Sequence, residues 1–221
     1  MDFFSVNTVF FTVMDYPMSY LEFFGTICYL LSVWLIARRN MLTWPIGLVS
    51  VVLYMMLFYQ YQLYSDTVEQ VYYIGTSLYG WWYWQSNRNK QLDKVPVYLG
   101  SKVSVLVWVV ITLVLSLLDG WAMTRIHLWL PKLFPQPASF PYLDGLTTVM
   151  SFVAMWLMAR RRVESWLYWI IVDVIGIWLY YTKGIKFVSL QYVILLVIAC
   201  NGAVSWLMAL QQERKLRIRL I

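Results

Sequence analysis

Residues Glu164 to Tyr181 read ESWLYWIIVDVIGIWLYY, an almost wholly apolar stretch with a single carboxylate near its middle. A helix of this length can cross the hydrocarbon core of a bilayer. Steps of three and four residues place one group of side chains on a single helical face, namely Trp166, Trp169, Asp173, Gly176 and Tyr180. Because a charge at membrane depth is unfavourable, Asp173 is predicted to face the protein interior. There it would either form part of a ligand or ion site or pair with a polar group on a neighbouring helix.

The composition of the whole chain predicts a polytopic membrane protein. Of its 221 residues, 61% are hydrophobic and only 13% are charged, which is too little charge for the surface of a soluble domain. The net charge of +6 does not indicate nucleic-acid binding, because the basic residues lie between the apolar runs. Cys28 and Cys200 fall inside predicted spans, and His127 is the single histidine. We therefore expect no disulfide, no metal site and no cofactor.

Seven apolar runs of membrane length predict an all-α fold. The predicted spans are 20–37, 44–61, 67–84, 103–118, 143–159, 164–181 and 188–210. We expect an interfacial segment, a three-helix repeat, a connecting region that contains span four, a second three-helix repeat and a basic tail. These regions are 1–18, 19–84, 85–142, 143–210 and 211–221. The connecting region is predicted to include a short amphipathic helix around residues 121–133.

The basic residues predict the orientation of the chain in the membrane. Thirteen of the 17 Lys and Arg residues lie after spans one, three and five or in the tail, and the other four lie on the opposite side. Positive charge is retained on the cytoplasmic side of a membrane. The N-terminus is therefore predicted to be outside and the C-terminus in the cytoplasm.

The sequence repeats itself at an offset of 122 residues. The segment Ala37-Arg38-Arg39 recurs as Ala159-Arg160-Arg161, and the matching single residues are Trp44 with Trp166, Gly80 with Gly202 and Trp84 with Trp206. Gln70 matches Gln191 after a slip of one residue. Spans one to three therefore correspond to spans five to seven. Because four crossings separate the two units, both face the same way, and this plan places a transport site at the repeat interface.

Aromatic and polar side chains on the inner faces of the repeats are candidates for substrate binding. The predicted site residues are Trp44, Gln70, Tyr73, Tyr79, Trp166, Trp169, Asp173, Tyr180, Gln191 and Asn201. Amides within a bilayer need partners, so the amide side chains are expected to point inward, toward neighbouring helices or a ligand. Rings, amides and one acid suit a small, flat, polar solute, and an aromatic cation would gain both charge and cation–π contacts.

The sequence disfavours several other functions. The last span has no lysine for a retinal Schiff base, and the spans hold neither paired acids nor a Ser–His arrangement, so an enzyme is not expected. The bulky face of span three argues against an open pore. A proton-coupled or passive carrier of a sugar or other small polar metabolite stays open, since Asp173 could titrate. No Lys or Arg lies at membrane depth, which favours an unphosphorylated substrate.

Three stretches resemble the PnuC family of bacterial vitamin transporters. They are LTWPIG at 42–47, QVYYIGTSLYGWWYW at 70–84 and ESWLYWIIVDVIGIWLYYTKG at 164–184. The resemblance implies uptake of nicotinamide riboside, an NAD precursor with a pyridinium ring, by facilitated diffusion. It also implies a seven-helix, three-plus-one-plus-three fold related to SWEET transporters, a homotrimer in the bacterial inner membrane and a cytoplasmic kinase that traps the riboside. Asp173 departs from the family pattern, which often has asparagine there.

Overall fold

The computed structural model describes residues 3–13, 16–62, 64–87, 95–131, 139–182 and 184–219, with side chains except at 64, 65 and 214–219. In these residues a two-stranded hairpin is followed by eight helices. The strands are β1 (Val9–Val13) and β2 (Tyr16–Ser19). The helices are α1 (Tyr20–Ala37), α2 (Thr43–Gln60), α3 (Tyr64–Ser86), α4 (Lys102–Met123), α5 (Ile126–Trp129), α6 (Pro141–Ala159), α7 (Ser165–Thr182) and α8 (Lys186–Arg219).

Each of the seven predicted spans corresponds to one long helix. Six of these helices are long and apolar enough to cross a membrane, and α3 is long enough but carries more polar side chains. Local signals set several starts: Ser19 and Ser101 accept hydrogen bonds from backbone amides in the first turns of α1 and α4, and Pro141 opens α6. The last helix continues to Arg219, so the tail extends α8 beyond the predicted end.

Two other segments differ from the expectation. The predicted interfacial segment 1–18 contains the antiparallel hairpin β1–β2, which leads directly into α1, so the fold is mainly but not wholly helical. The helix expected at 121–133 is divided: α4 continues through Met123, and α5 is a separate turn of four residues. Residues 132–138 of that connection and residues 88–94 of the loop after α3 lie outside the described residues.

The long helices other than α4 form a closed ring. In chain order, α1 contacts α2, α2 contacts α3, α6 contacts α7 and α7 contacts α8. Two joints, α1 with α8 and α3 with α6, connect the triplet α1–α3 to the triplet α6–α8. Exchanging the triplets converts one joint into the other, as a parallel two-fold repeat requires. The sequence leaves the packing order within each triplet open, and the structure shows that it follows the chain.

The helix α4 lies outside the ring and packs on α6. A Cβ atom on Gly145 would lie 2.8 Å from the Gly120 nitrogen, so the two backbones approach closely because neither residue has a side chain. The helix α4 also reaches α7, where the Thr112 hydroxyl lies 3.3 Å from the Tyr168 hydroxyl. The other side of α4 is an exposed apolar surface.

The backbone repeats at the same offset of 122 residues as the sequence. Both α1 and α6 are followed by an arginine in the left-handed region, Arg39 at φ 59° and Arg161 at φ 61°. The next amides, of Asn40 and Arg162, each donate to a carbonyl five residues earlier, at 3.0 and 2.9 Å. This backbone conformation favours glycine, so its occurrence with arginine at both helix ends shows the same turn built twice.

Candidate substrate-binding site

Four tryptophans form a buried cluster at the end of the ring where α1 and α6 terminate. The tryptophan cluster consists of Trp44, Trp84, Trp166 and Trp206, each at most 2% exposed. The Trp84 Nε1 donates to the Ala159 carbonyl at 3.1 Å. The Trp206 Nε1 donates to the Ile36 carbonyl, also at 3.1 Å. Both carbonyls belong to last helical turns, where carbonyls lack a partner four residues later in the helix, and both bonds cross between the triplets. The cluster therefore forms hydrogen bonds across both joints of the ring.

The other two tryptophans of the cluster lie against glycines. A Cβ atom on Gly202 would lie 2.6 Å from Cζ2 of Trp166, and Gly80 meets Trp44 in the same way. The paired rings, Trp44 with Trp84 and Trp166 with Trp206, stand edge to face at centroid distances of 5.3 and 5.6 Å. No described residue accepts a hydrogen bond from the Nε1 atoms of Trp44 and Trp166. Two buried donors are therefore left over at this end of the ring.

Four tyrosines form a connected group farther along the ring, and Tyr29 and Tyr192 of this group lie within electrostatic range of Asp173. This tyrosine group consists of Tyr29, Tyr54, Tyr73 and Tyr192. All four are half-buried, and they belong to α1, α2, α3 and α8, so both triplets contribute to the group. The region between the two triplets that the tyrosine group and Asp173 border is called the chamber below.

Hydrogen bonds and ring contacts connect the chamber walls. The Tyr54 hydroxyl lies 2.7 Å from Thr26 Oγ1 and also bonds the Gln191 side chain, which links α1, α2 and α8. The rings of Tyr29 and Tyr54 stand edge to face with centroids 6.3 Å apart. On α8, the Tyr192 ring fills the space left by Gly176, since a Cβ atom there would lie 2.5 Å from Tyr192 Cδ1.

Asp173 lies on the middle turns of α7, in the chamber wall, whereas Glu69 of α3 lies within electrostatic range of Tyr73. Asp173 is 4% exposed and forms neither a hydrogen bond nor an ion pair with any described residue. The side chains within its electrostatic range include Tyr29 and Tyr192. A buried carboxylate is normally paired with a donor or a cation, so this one is suited to meet a positively charged or hydrogen-bonding ligand.

The structure brings some of the predicted site residues together around this chamber. Tyr73, Asp173 and Gln191 lie in its wall, and Tyr180 stacks on Tyr192 at 5.4 Å. Trp169 lies one turn from Asp173. It packs against two clusters of buried apolar side chains, one that contains the tryptophan cluster and one between α6 and α7. Gln70 is buried on α3, and its amide donates to the Asp66 carbonyl of the same helix at 3.4 Å.

The remaining predicted residues lie elsewhere. Trp44 and Trp166 belong to the tryptophan cluster. Tyr79 is at the α3–α6 joint, where its ring stacks on Trp156 at 5.0 Å and its hydroxyl accepts from Arg160. The prediction that the Asn201 amide points inward is wrong.

The side chain of Asn201 lies on the exposed face of α8, and its amide donates to the Val197 carbonyl one turn earlier at 2.8 Å. That bond gives one N–H of the Asn201 amide a partner on its own helix, so this donor needs no partner inside the ring.

Three members of the tyrosine group, Tyr29, Tyr54 and Tyr192, are not among the predicted site residues. Tyr29 has few polar neighbours in the sequence, and Tyr192 follows Gln191 by one residue, where a strict step of three or four does not reach. The available signal was the face of α1 that Thr26 and Tyr29 share at a spacing of three.

Residues 19–208 match the family described as "Nicotinamide mononucleotide transporter". The chain belongs to this family. The match covers both triplets and α4, so the tryptophan cluster and the chamber lie within the family fold. Transport, rather than catalysis, is the activity of the family.

Individual relatives of known function agree with the family assignment. The chain is 31% identical to "Nicotinamide riboside transporter PnuC" of Escherichia coli (strain K12), over 94% of this chain and 95% of that protein. It is 27% identical to "Riboflavin/roseoflavin transporter RibM" of Streptomyces davaonensis, over 91% of each chain. Among solved structures, "Crystal structure of the Vitamin B3 transporter PnuC" matches with a TM-score of 0.67 at 23% identity, covering 87% of this chain and 83% of that one. The last comparison shows a shared fold.

Proposed function

We propose that this protein takes up nicotinamide riboside across the bacterial inner membrane and binds it in the chamber beside Asp173. The observation that carries the proposal is a buried carboxylate without a hydrogen-bonding or ionic partner among the described residues, with Tyr29 and Tyr192 within its electrostatic range. A pyridinium riboside supplies what that carboxylate lacks, namely a positive charge on a flat ring. The E. coli relative that is 31% identical bears the same substrate in its name.

The chemistry of the chamber selects among the substrates that the family and its members are named for. A mononucleotide carries a phosphate, and Arg or Lys side chains are its usual partners. The described middle turns of the helices contain no Arg or Lys. The ring system of riboflavin is uncharged, so it would leave Asp173 unpaired. A riboside with a cationic ring satisfies both observations.

The positions of the side chains suggest a role for each part of the chamber. Asp173 would neutralise the pyridinium ring, and the tyrosine group would stack on it or face its edge, each ring contributing on the order of 0.5–2 kcal/mol. Gln191, which already bonds Tyr54, offers an amide for ribose hydroxyls or the carboxamide. The free Nε1 donors of Trp44 and Trp166 lie at the end of the chamber that the tryptophan cluster closes.

The membrane arrangement that fits this role has seven spans in a three-plus-one-plus-three order. We take α3 as the seventh span, because its polar side chains face the other helices and the chamber rather than lipid. The distribution of Lys and Arg puts the N-terminus outside and the tryptophan cluster on the cytoplasmic side. The apolar outer face of α4 is available for lipid or for the contacts of a homotrimer.

Transport is proposed to proceed by facilitated diffusion. The tryptophan cluster closes the chamber toward the cytoplasm, and its opening would release the riboside there. A cytoplasmic kinase that phosphorylates the riboside would keep uptake running inward, since the chamber has no basic side chain to hold a phosphate.

The proposal is tested by titrating the purified protein with nicotinamide riboside, nicotinamide mononucleotide, nicotinamide and thiamine, with calorimetric detection. We expect saturable binding of the riboside and at least roughly tenfold weaker binding of the mononucleotide, equivalent to about 1.4 kcal/mol. Equal binding of both would contradict the chamber assignment. If liposomes that contain the protein take up no riboside but take up a sugar or similar metabolite in response to a pH gradient, the result would instead favour a proton-coupled carrier of such solutes.

A further inference from the structure

Glu22, in the first turn of α1, is a second buried acid that the chamber does not include. Glu22 is only 8% exposed. One carboxylate oxygen accepts a hydrogen bond from the Tyr16 hydroxyl at 2.8 Å. No described residue bonds the other oxygen, Oε2. An acid buried to this degree with one oxygen free has a place for a cation or a donor.

Helix capping explains only part of this arrangement. Ser19 accepts a hydrogen bond from the Glu22 amide at 3.2 Å, so the two residues form the Ser-x-x-Glu pattern of a capping box. In that motif the glutamate side chain returns to the backbone amide of the capping serine, and here it turns to Tyr16 instead. Glutamine serves equally well in such a box, so capping does not require the charge.

Several aromatic side chains lie near Glu22. The N-terminal hairpin places Tyr16 over Glu22, and the Tyr16 ring lies parallel to Phe187 of α8 at a centroid distance of 5.7 Å. Tyr54 and Tyr61 of the α2 region lie within electrostatic range of Glu22. Burial, together with the bond to Glu22, raises the pKa of Tyr16 above its ordinary value, so its hydroxyl remains a donor. The hairpin therefore places Tyr16 on this acid, and Phe187 of the second triplet stacks on Tyr16 in turn.

A line of polar side chains connects Glu22 to the chamber. Thr26 and Tyr29 follow it at spacings of four and three, so all three residues share one face of α1. Thr26 contacts the Tyr54 hydroxyl, and Tyr29 is within electrostatic range of Asp173. The line begins under the hairpin and leads to the acid in the middle of the ring.

We propose that Glu22 and the rings around it form an outer binding station for the pyridinium cation, occupied before the substrate reaches Asp173. The inference rests on the proposed function, since it takes its ligand class from there. The station lies at the opposite end of the chamber from the tryptophan cluster. Its negative charge concentrates the cation at the entrance, and its rings accept the flat face of the pyridinium.

The test separates the charge of Glu22 from its shape. Initial uptake of labelled nicotinamide riboside, well below saturation, is measured in liposomes for Glu22→Gln, which keeps the shape, and for Glu22→Asp, which keeps the charge. We expect Glu22→Gln to slow uptake about tenfold and Glu22→Asp to stay within about threefold of the natural protein, as charge attraction requires. Uptake by Glu22→Gln at the natural rate, or a larger loss in Glu22→Asp, would overturn the station.

Asp144 provides a matched control, because it is the residue at the 122-residue offset in the first turn of α6. Asp144 is half-buried and lies outside the proposed station. We therefore expect Asp144→Asn to keep uptake within about twofold of the natural rate. A loss equal to that of Glu22→Gln would assign the effect to negative charge in general at this end of the ring and overturn the station. If the natural protein does not take up the riboside at all, the proposed function fails first, which distinguishes the two failures.

Discussion

The two triplets are alike at the end that holds the tryptophan cluster and different in the middle of the ring. At that end, Trp84 and Trp206 each donate to a carbonyl in the last turn of a helix across a joint, and glycines matched at the 122-residue offset lie against Trp44 and Trp166. In the middle, Asp173 of the second triplet corresponds to Val51 of the first.

Two further matched positions differ in the same region. Trp169 corresponds to Gly47, and Gly176 corresponds to Tyr54. The elements of the tryptophan cluster therefore occur in both triplets, whereas the charge and several rings of the chamber occur in only one. A closed ring needs two equivalent joints, whereas a substrate such as a riboside has no two-fold symmetry and needs different groups on its two sides.

The largest effect is expected where the triplets are alike. Trp84→Ala and Trp206→Ala should each destabilise the protein by about 3–5 kcal/mol, because a large buried side chain and a bond between triplets are lost together. Thermal unfolding in detergent measures both, and the two losses should be similar. Trp82→Ala is the matched control: its side chain is 64% exposed on the same helix, and its removal should change stability by less than about 0.5 kcal/mol. A loss confined to one of the two buried tryptophans would break the equivalence of the joints.

An intermediate effect is expected where the triplets differ. Asp173→Asn should weaken riboside binding about tenfold, since it removes the charge but keeps the size of the side chain. Its unfolding temperature should not fall, because a buried unpaired charge is unfavourable for folding. The corresponding change in the first triplet, Val51→Thr, should leave the affinity within about twofold, because Val51 carries no charge to lose. Calorimetric titration compares them, and natural affinity in Asp173→Asn would remove the charge from the binding account and leave the aromatic contacts.

The smallest effect should distinguish two turns with the same backbone. Arg161 is 1% exposed, and its guanidinium carbon lies 4.9 Å from the centre of the Tyr83 ring and 4.8 Å from that of Tyr98. Arg39 is less buried and bonds the Val95 carbonyl and Glu213.

Replacement by glycine removes the strain of the left-handed conformation at both positions. We expect Arg39→Gly to be within about 1 kcal/mol of neutral and Arg161→Gly to be less stable than Arg39→Gly by roughly 1–2 kcal/mol, because its packed side chain is lost. Chemical denaturation of the two variants gives the difference. Equal stabilities would show that the aromatic contacts of Arg161 contribute little.

The sequence by itself determined the seven long helices, the repeat and the inward position of Asp173. Long apolar runs and an unfavourable intramembrane charge are local properties, and the matched pairs at one offset carry the repeat without reference to contacts. The bounds of α1 at Tyr20 and Ala37 agree with the apolar run and with the arginines that follow it.

Only the tertiary structure decided which side chains share the chamber. A residue on a given face of a helix can contact the helix on either side or none. Tyr79 therefore lies at a joint and Asn201 on the outside, although a tyrosine and an asparagine are both suitable residue types for the site. The same holds for Tyr29, Tyr192 and Glu22, whose importance depends on helices that are distant in the chain. Periodicity fixes the direction of a side chain relative to its own helix, and the rotation and order of the helices in the ring decide what that side chain meets.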